Sequence, residues 1–376
     1  MKKLLAFLVS LVLALTLVAA VACGGNQPGG NNFTTVDLTN TDARAEFVNT
    51  LAEKADLEKL FGDPTKAGWT YGLEETASSN VEFNVSATAE GTTLTANGKV
   101  ELSENAKVTI KSNGEDKDPD LAASMKLSAK GNVTLPQDLY DVLTSLNEEL
   151  DFGALAKSLL TNFNYSVDAY VDNDVALISI SDSLYNKLPD IVKDSISQKI
   201  KISLKAANDV AAYAAETDGA EDMENEIIKQ SIDAVVDYLV SFKIGVAVSN
   251  QNGYALKLTV TKESVVALLS ALPSVEEVTE SDFLALINSV AGSLSDSSKI
   301  ELTVRIDSNG AFNSFKVESN LAFNLDLTIG EVKLSGTASL KGSVEVKKFT
   351  GKVSKPNEKD YKELEGFQGG DIEFDD

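Results

Sequence analysis

Between Val81 and Leu102 apolar and polar residues change places at almost every step, and no other feature of the chain limits its fold so tightly. Val81, Phe83, Val85, Ala87 and Ala89 alternate with Glu82, Asn84, Ser86 and Thr88. Glu90-Gly91 makes a turn, and Leu94, Ala96, Gly98, Val100 and Leu102 carry the alternation onward. Successive side chains of an extended chain point to opposite faces, so this spacing gives one apolar face and one wet face. That is the mark of an antiparallel sheet packed on one side only. Val108 and Ile110 indicate a third strand. Met125, Leu127 and Ala129 indicate a fourth, running on towards Val133 and Leu135.

The same period returns in the last third. Ile300–Ile306 meets the turn Asp307-Ser308-Asn309-Gly310, a strong hairpin signal. Leu321, Phe323, Leu325, Leu327 and Ile329 alternate over a long strand. Val332–Leu334, Ala338–Leu340 and Val344–Val346 extend the meander.

Helical spacing separates these strand runs. Ala43, Phe47 and Leu51 share a face within 41–61, with Val48 and Ala55 beside them, and Gly62-Asp63-Pro64 stops the pattern. Leu139, Leu143, Leu146 and Leu150 mark a helix after Pro136, and Asp151 is placed to cap a second one through Leu155 and Leu159. In 221–240, Ile227, Ile228, Ile232, Val235, Val236 and Leu239 form an apolar stripe. Glu221, Asp222, Glu224 and Glu226 precede it, where the helix dipole favours acids. The fold class expected is therefore α+β: a large curved antiparallel sheet of long meander strands, with amphipathic helices packed over one face.

One arrangement occurs twice. Tyr165–Val171, a turn at Asp172-Asn173-Asp174, Val175–Ile180 and a helical start at Ser183 are followed by the strand Lys199–Leu204. Lys243–Val248, a turn at Asn250–Gly253, Tyr254–Val260 and a helix from Glu263 are followed by Lys299–Val304. Two readings stand: an internal duplication, or the ordinary reuse of a common local pattern. The region 33–355 is accordingly one domain, or two related lobes of about 33–205 and 206–355. From Pro356 the chain turns polar and ends in the acidic run Asp371–Asp376, expected as a C-terminal tail over 356–376.

The first residues carry an address. Lys2 and Lys3 precede an apolar run from Leu4 to Leu17, and small residues lead to Ala20-Val21-Ala22-Cys23. This is the layout of a secretory signal over 1–22. Its end resembles the lipobox of bacterial lipoprotein precursors, with Ala20 where that family prefers Leu. The resemblance implies cleavage before Cys23 and lipid on its thiol. The competing reading is an uncleaved apolar span. Residues 24–32, GGNQPGGNN, form a Gly/Asn-rich tether spanning roughly 15–18 Å. Two or more acyl chains give stable attachment, at about 0.8 kcal/mol per buried methylene. The expected location is the extracytoplasmic face of a cell membrane.

Composition narrows the chemistry. The chain has no histidine and one cysteine, Cys23. That removes His-based hydrolysis and His-ligated zinc, and it leaves the mature domain without a disulfide. The formal net charge is -24, and Arg44 and Arg305 are the only arginines. Such a surface repels phosphate backbones, so nucleic acid is not expected as a partner. Gly91 to Gly98-Lys99 has the wrong spacing for a phosphate loop, and Asp116-Lys-Asp118-Pro-Asp120 lacks the glycine and terminal glutamate of a calcium loop. No enzymatic activity and no cofactor are expected.

The pattern over roughly 75–350 is similar to bacterial lipoprotein carriers of the LolA and LppX type. The resemblance implies a curved sheet with helices over its concave side and lipid held between them. Residues on the expected apolar face, Phe83, Val85, Leu256, Leu258, Leu321, Phe323 and Leu325, are the candidate lining of a site for a hydrophobic small molecule or lipid. The other role considered is a non-catalytic interaction or scaffold protein of the cell surface, presenting a wet face rich in Thr, Ser and Asn.

Overall fold

A computed structural model describes residues 32–54, 56–89, 91–114, 117–145, 151–204, 225–270, 292–329 and 332–364. The leader over 1–22, Cys23, most of the tether and the acidic run 371–376 lie outside the described residues, as do Asp116, Leu146, Leu150, Glu221, Asp222 and Glu224.

The strands are β1 (Thr34–Thr35), β2 (Thr70–Ala89), β3 (Thr92–Lys111), β4 (Asp120–Thr134), β5 (Phe163–Asp172), β6 (Val175–Ile180) and β7 (Lys199–Ser203). They continue as β8 (Gly245–Ser249), β9 (Tyr254–Thr261), β10 (Lys299–Ile306), β11 (Phe312–Ile329), β12 (Val332–Lys348) and β13 (Lys362–Glu363). All thirteen join one sheet in the order β1-β8-β9-β10-β11-β12-β2-β3-β4-β5-β6-β7-β13. Neighbours are antiparallel except β13 and β7, which are parallel. The two edge strands are only two residues each, which leaves little unpaired backbone to recruit another chain.

The central strands are long. β2 and β3 stay in register from Thr70–Lys111 to Ala89–Thr92. Gly91, at the tip, has φ +81°, a region open to glycine without steric cost. The alternation read from Val81 thus begins eleven residues earlier, at Thr70. The three short runs expected after Val332 are one continuous strand, β12. β12 meets β2 at the Lys348–Leu73 pair, and Phe349 N donates to Gly72 O at 2.8 Å. Further along, Gly336 lies against Asn84 O and Val85 Cα, so the two strands remain neighbours beyond that pair.

Eight α-helices connect the strands: α1 (Thr41–Lys54), α2 (Leu57–Phe61), α3 (Gln137–Ser145), α4 (Phe152–Leu160), α5 (Asp182–Tyr185), α6 (Asp190–Ser195), α7 (Asn225–Ser241) and α8 (Lys262–Ser270), counted among the described residues. The helix read over 41–61 is therefore two, α1 and α2. Asn40 Oδ1 caps α1, accepting from the N–H groups of Asp42 and Ala43. Asp151 caps α4 as its spacing implied, accepting from Ala154 N at 2.8 Å.

The largest buried cluster lies at one end of the sheet. Phe47 and Val48 of α1, Val236 and Leu239 of α7, Leu38 and Val246 are buried together, with Val248, Leu256 and Leu258 of β8 and β9 packed on them. Arg44 ties the two helices, reaching Asp233 and Asp237 of α7 at 2.7 Å each. At the other end Tyr170, Val175 and Leu177 form a second cluster, against which Val353 and Tyr361 pack. Residues 356–364, expected as the start of a polar tail, are thus laid on the sheet. Lys355 bridges Asp172 and Glu358 at 2.7 Å each, and β13 pairs with β7. An aromatic residue at 361 and a lysine between two acids hold what net polarity alone reads as solvated.

The repeated arrangement forms two three-strand meanders, β5-β6-β7 and β8-β9-β10, at sheet positions running in the same sense. A single sheet carries both, and strands of the two halves meet at β12 and β2.

Candidate functional site

Residues directly opposite one another on neighbouring strands point to the same side of a sheet. Register therefore lets the apolar face be followed strand by strand. Leu256 and Leu258 on β9 oppose Val304 and Leu302 on β10, which oppose Phe315 and Val317 on β11. Those two oppose Val346 and Val344 on β12. Lys348 opposes Leu73, which hands the face to β2, and Phe83 and Val85 follow Leu73 at even spacing. All seven residues read from sequence lie on this one face.

They fall into two groups. Leu321, Phe323 and Leu325 oppose Leu340, Ala338 and Gly336. Phe83 and Val85 oppose Gly98 and Ala96. Gly336 touches Val85 across the β12–β2 junction, so these five gather where small partners make room. A Cβ on Gly98 would stand 2.9 Å from the Phe83 ring. Leu256 and Leu258, on β9, sit two strands from β11 and four from β2, packed beneath α1 and α7 in the buried cluster.

On β3 and β4, away from the cluster under α1 and α7, this face meets solvent. Leu94 and Leu102 of β3 and Leu127 of β4 are 38%, 42% and 38% exposed, although all three are of the inward phase. Leu102 opposes Ala129, and Leu127 opposes Glu104.

That opposition marks a polar island on the same face. Glu75 and Ser79 of β2 occupy the phase of Leu73, Ala77 and Val81, and Glu104 of β3 opposes Ala77. Glu75 and Ser79 are buried, and Glu75 Oε1 and Ser79 Oγ have no hydrogen-bond partner among the described residues. Burial, with the nearby Glu104 carboxylate, pushes the Glu75 carboxyl up to about 7. Burial also raises Glu104. The sequence reading missed this island because polar residues at 75 and 79 break the apolar phase. The signal was that the odd-numbered phase of β2 runs back unbroken to Leu73 and Tyr71 once those two positions are allowed.

Over β2 to β4 the opposite face is polar and cross-linked, whereas on β5 and β6 the same face carries the buried cluster of Tyr170, Val175 and Leu177. Ser78, Ser103, Ser128 and Ser166 stand in one row across β2 to β5. Ser86–Thr95 and Thr88–Thr93 pairs are 2.9 Å apart through their hydroxyls. Lysines on this face meet acids: Lys107–Glu74 at 3.2 Å, Lys99–Glu82 at 2.9 Å and Lys130–Glu101 at 2.8 Å. A hollow of about 600 Å³ touches Phe83 and Phe323, but most of its lining is of the wet phase, including Asn84, Asn97, Asn132 and Asn324. It is a polar hollow, distinct from the exposed leucines. A smaller one of about 460 Å³ borders the serine row.

Among the described residues no group of three or more acids, cysteines or histidines is placed to hold a metal ion. No described helix is long and apolar enough to cross a membrane. No family model matches the chain, and no curated protein matches it. Among solved structures it aligns with the translocator domain of autotransporter NalP from Neisseria meningitidis. The TM-score is 0.12 and the identity 8%, over 81% of this chain and 94% of that one.

Proposed function

We propose that this chain is an extracytoplasmic lipoprotein, anchored to a membrane by lipid on Cys23, that holds a hydrophobic ligand or lipid against the apolar face of its sheet. In this reading the sheet curves about that face and the helices lie over it, leaving a trough between them. The observation that carries it is the exposure of Leu94, Leu102 and Leu127 on the apolar face of the sheet. Large apolar side chains left in water on a sheet's core face mark a surface that something covers. The test is a titration of the purified full chain with a neutral hydrophobic dye. Saturable binding that weakens in Leu102→Asn and Leu127→Asn supports the reading. Equal dye uptake by both variants contradicts it.

A second reading, a non-catalytic surface interaction or scaffold protein, is favoured by the wet face. Its serine row and hydroxyl pairs offer a regular hydrogen-bonding surface. Under that reading the dye finds no saturable site.

A further inference from the structure

Acids on the two faces of β2 to β4 are treated differently. On the wet face Glu74, Glu82, Glu101 and Asp120 each have a lysine partner. On the apolar face Glu75 and Glu104 have no ion-pair partner among the described residues. Glu75 is 8% exposed and Ser79 6% exposed, with Glu75 Oε1 and Ser79 Oγ unpartnered among the described residues. Glu104 opposes Ala77, midway along β2 between Glu75 and Ser79, so the three polar groups are diagonal neighbours across two strands. The same row continues to the exposed Leu127, and the next row carries the exposed Leu102 opposite Ser79.

We propose that Glu75 and Glu104, with Ser79, seat the cationic end of an amphiphile, a protonated amine on an apolar body that lies over Leu102 and Leu127. The inference rests on the hydrophobic-ligand reading and names the ligand's chemistry. Two carboxyls and a hydroxyl supply acceptors and no positive charge. Buried acceptors without donors are costly, and an ammonium group brings three donors and the missing charge. A fatty acid would add a third carboxylate, and an alcohol would leave the charge unmet.

The test uses dodecylamine, dodecanol and dodecanoate below their micellar concentrations, titrated calorimetrically into the full chain. The variants are Glu75→Gln, Glu104→Gln and, as a surface-acid control, Glu101→Gln, each checked for fold by circular dichroism. Dodecylamine is expected to bind about ten-fold tighter than dodecanol, or better. That preference should vanish in Glu75→Gln or Glu104→Gln, persist in Glu101→Gln, and leave dodecanol affinity unchanged. Dodecanol bound as tightly as the amine, or a preference that survives both inner-face variants, overturns the amine seat and leaves the hydrophobic-ligand reading standing. Failure of all three probes to bind overturns both.

Discussion

The hydroxyl of Ser264 donates to the main-chain carbonyl of Lys243 at 2.8 Å, joining the start of α8 to the chain that enters β8. Ser183, at the start of α5, makes the same kind of contact with the carbonyl of Asn164 in β5. Each meander is also entered through a residue with positive φ, Asn162 at 44° before β5 and Lys243 at 53° before β8. Helix, left-handed residue, strand, turn, strand and serine-tethered helix recur in one order. A non-glycine left-handed residue is an uncommon local choice, and it stands at the same place in both meanders.

Ser264→Ala should destabilise the fold. Ser264 is fully buried, and its Oγ also accepts from Thr261 N at 3.2 Å. Removing it strands a carbonyl and an N–H, at a cost of about 1–3 kcal/mol. Urea denaturation should show that loss. Ser183 is exposed, so Ser183→Ala should cost less than about 1 kcal/mol.

Glu75 gives the fold a distinctive pH dependence. Burial, with the Glu104 carboxylate beside it, pushes its folded-state carboxyl up to about 7 from an ordinary 4.5, so between those values the folded chain holds a proton that the unfolded chain releases. This contribution to stability is present below about pH 4.5 and is lost as pH rises to about 7. Solvent screening leaves an effect on the order of 2 kcal/mol. Glu75→Gln should therefore be more stable than the parent at pH 8 and show a flatter profile between pH 5 and 7, read by thermal melting. A parent profile as flat as the variant's contradicts the assignment.

The junction of β12 and β2 depends on Gly336. It sits at φ +136°, and a Cβ there would lie 2.1 Å from Asn84 O. Backbone cannot yield as a side chain can. Gly336→Ala should cost about 2 kcal/mol or more and raise amide exchange along β12 and the facing half of β2. Ordinary exchange with unchanged stability would mean that the two strands are not in contact there.

Much of the sheet was legible because alternation is a local property. Phe83, Val85, Leu321, Phe323 and Leu325 were assigned to one face from spacing alone, and register places them there. Three things were not legible. Glu75 and Ser79 hid the first half of β2, since a polar residue in the apolar phase looks like the end of a strand. Gly336 and Gly342 made one long β12 look like three short runs. The neighbours β12 and β2 are far apart in sequence, and no periodicity reports which distant strands meet. Leu256 and Leu258 show the same limit for the site. Spacing gives their face but not α1 and α7 above them, because helix placement is set by nonlocal packing such as Phe47 and Val236 on Val246.

The central claim, that the apolar face holds a hydrophobic molecule, is tested most directly by comparing native and denaturing mass spectra of one preparation of the full chain. Covalent lipid appears in both spectra, whereas a ligand held by the sheet appears only in the native one. The account predicts a native excess at near-unit stoichiometry that Leu102→Asn and Leu127→Asn reduce, with organic extraction recovering the molecule. Identical native and denaturing masses, unchanged after incubation with membrane lipids, would contradict it and leave the wet face as the functional surface.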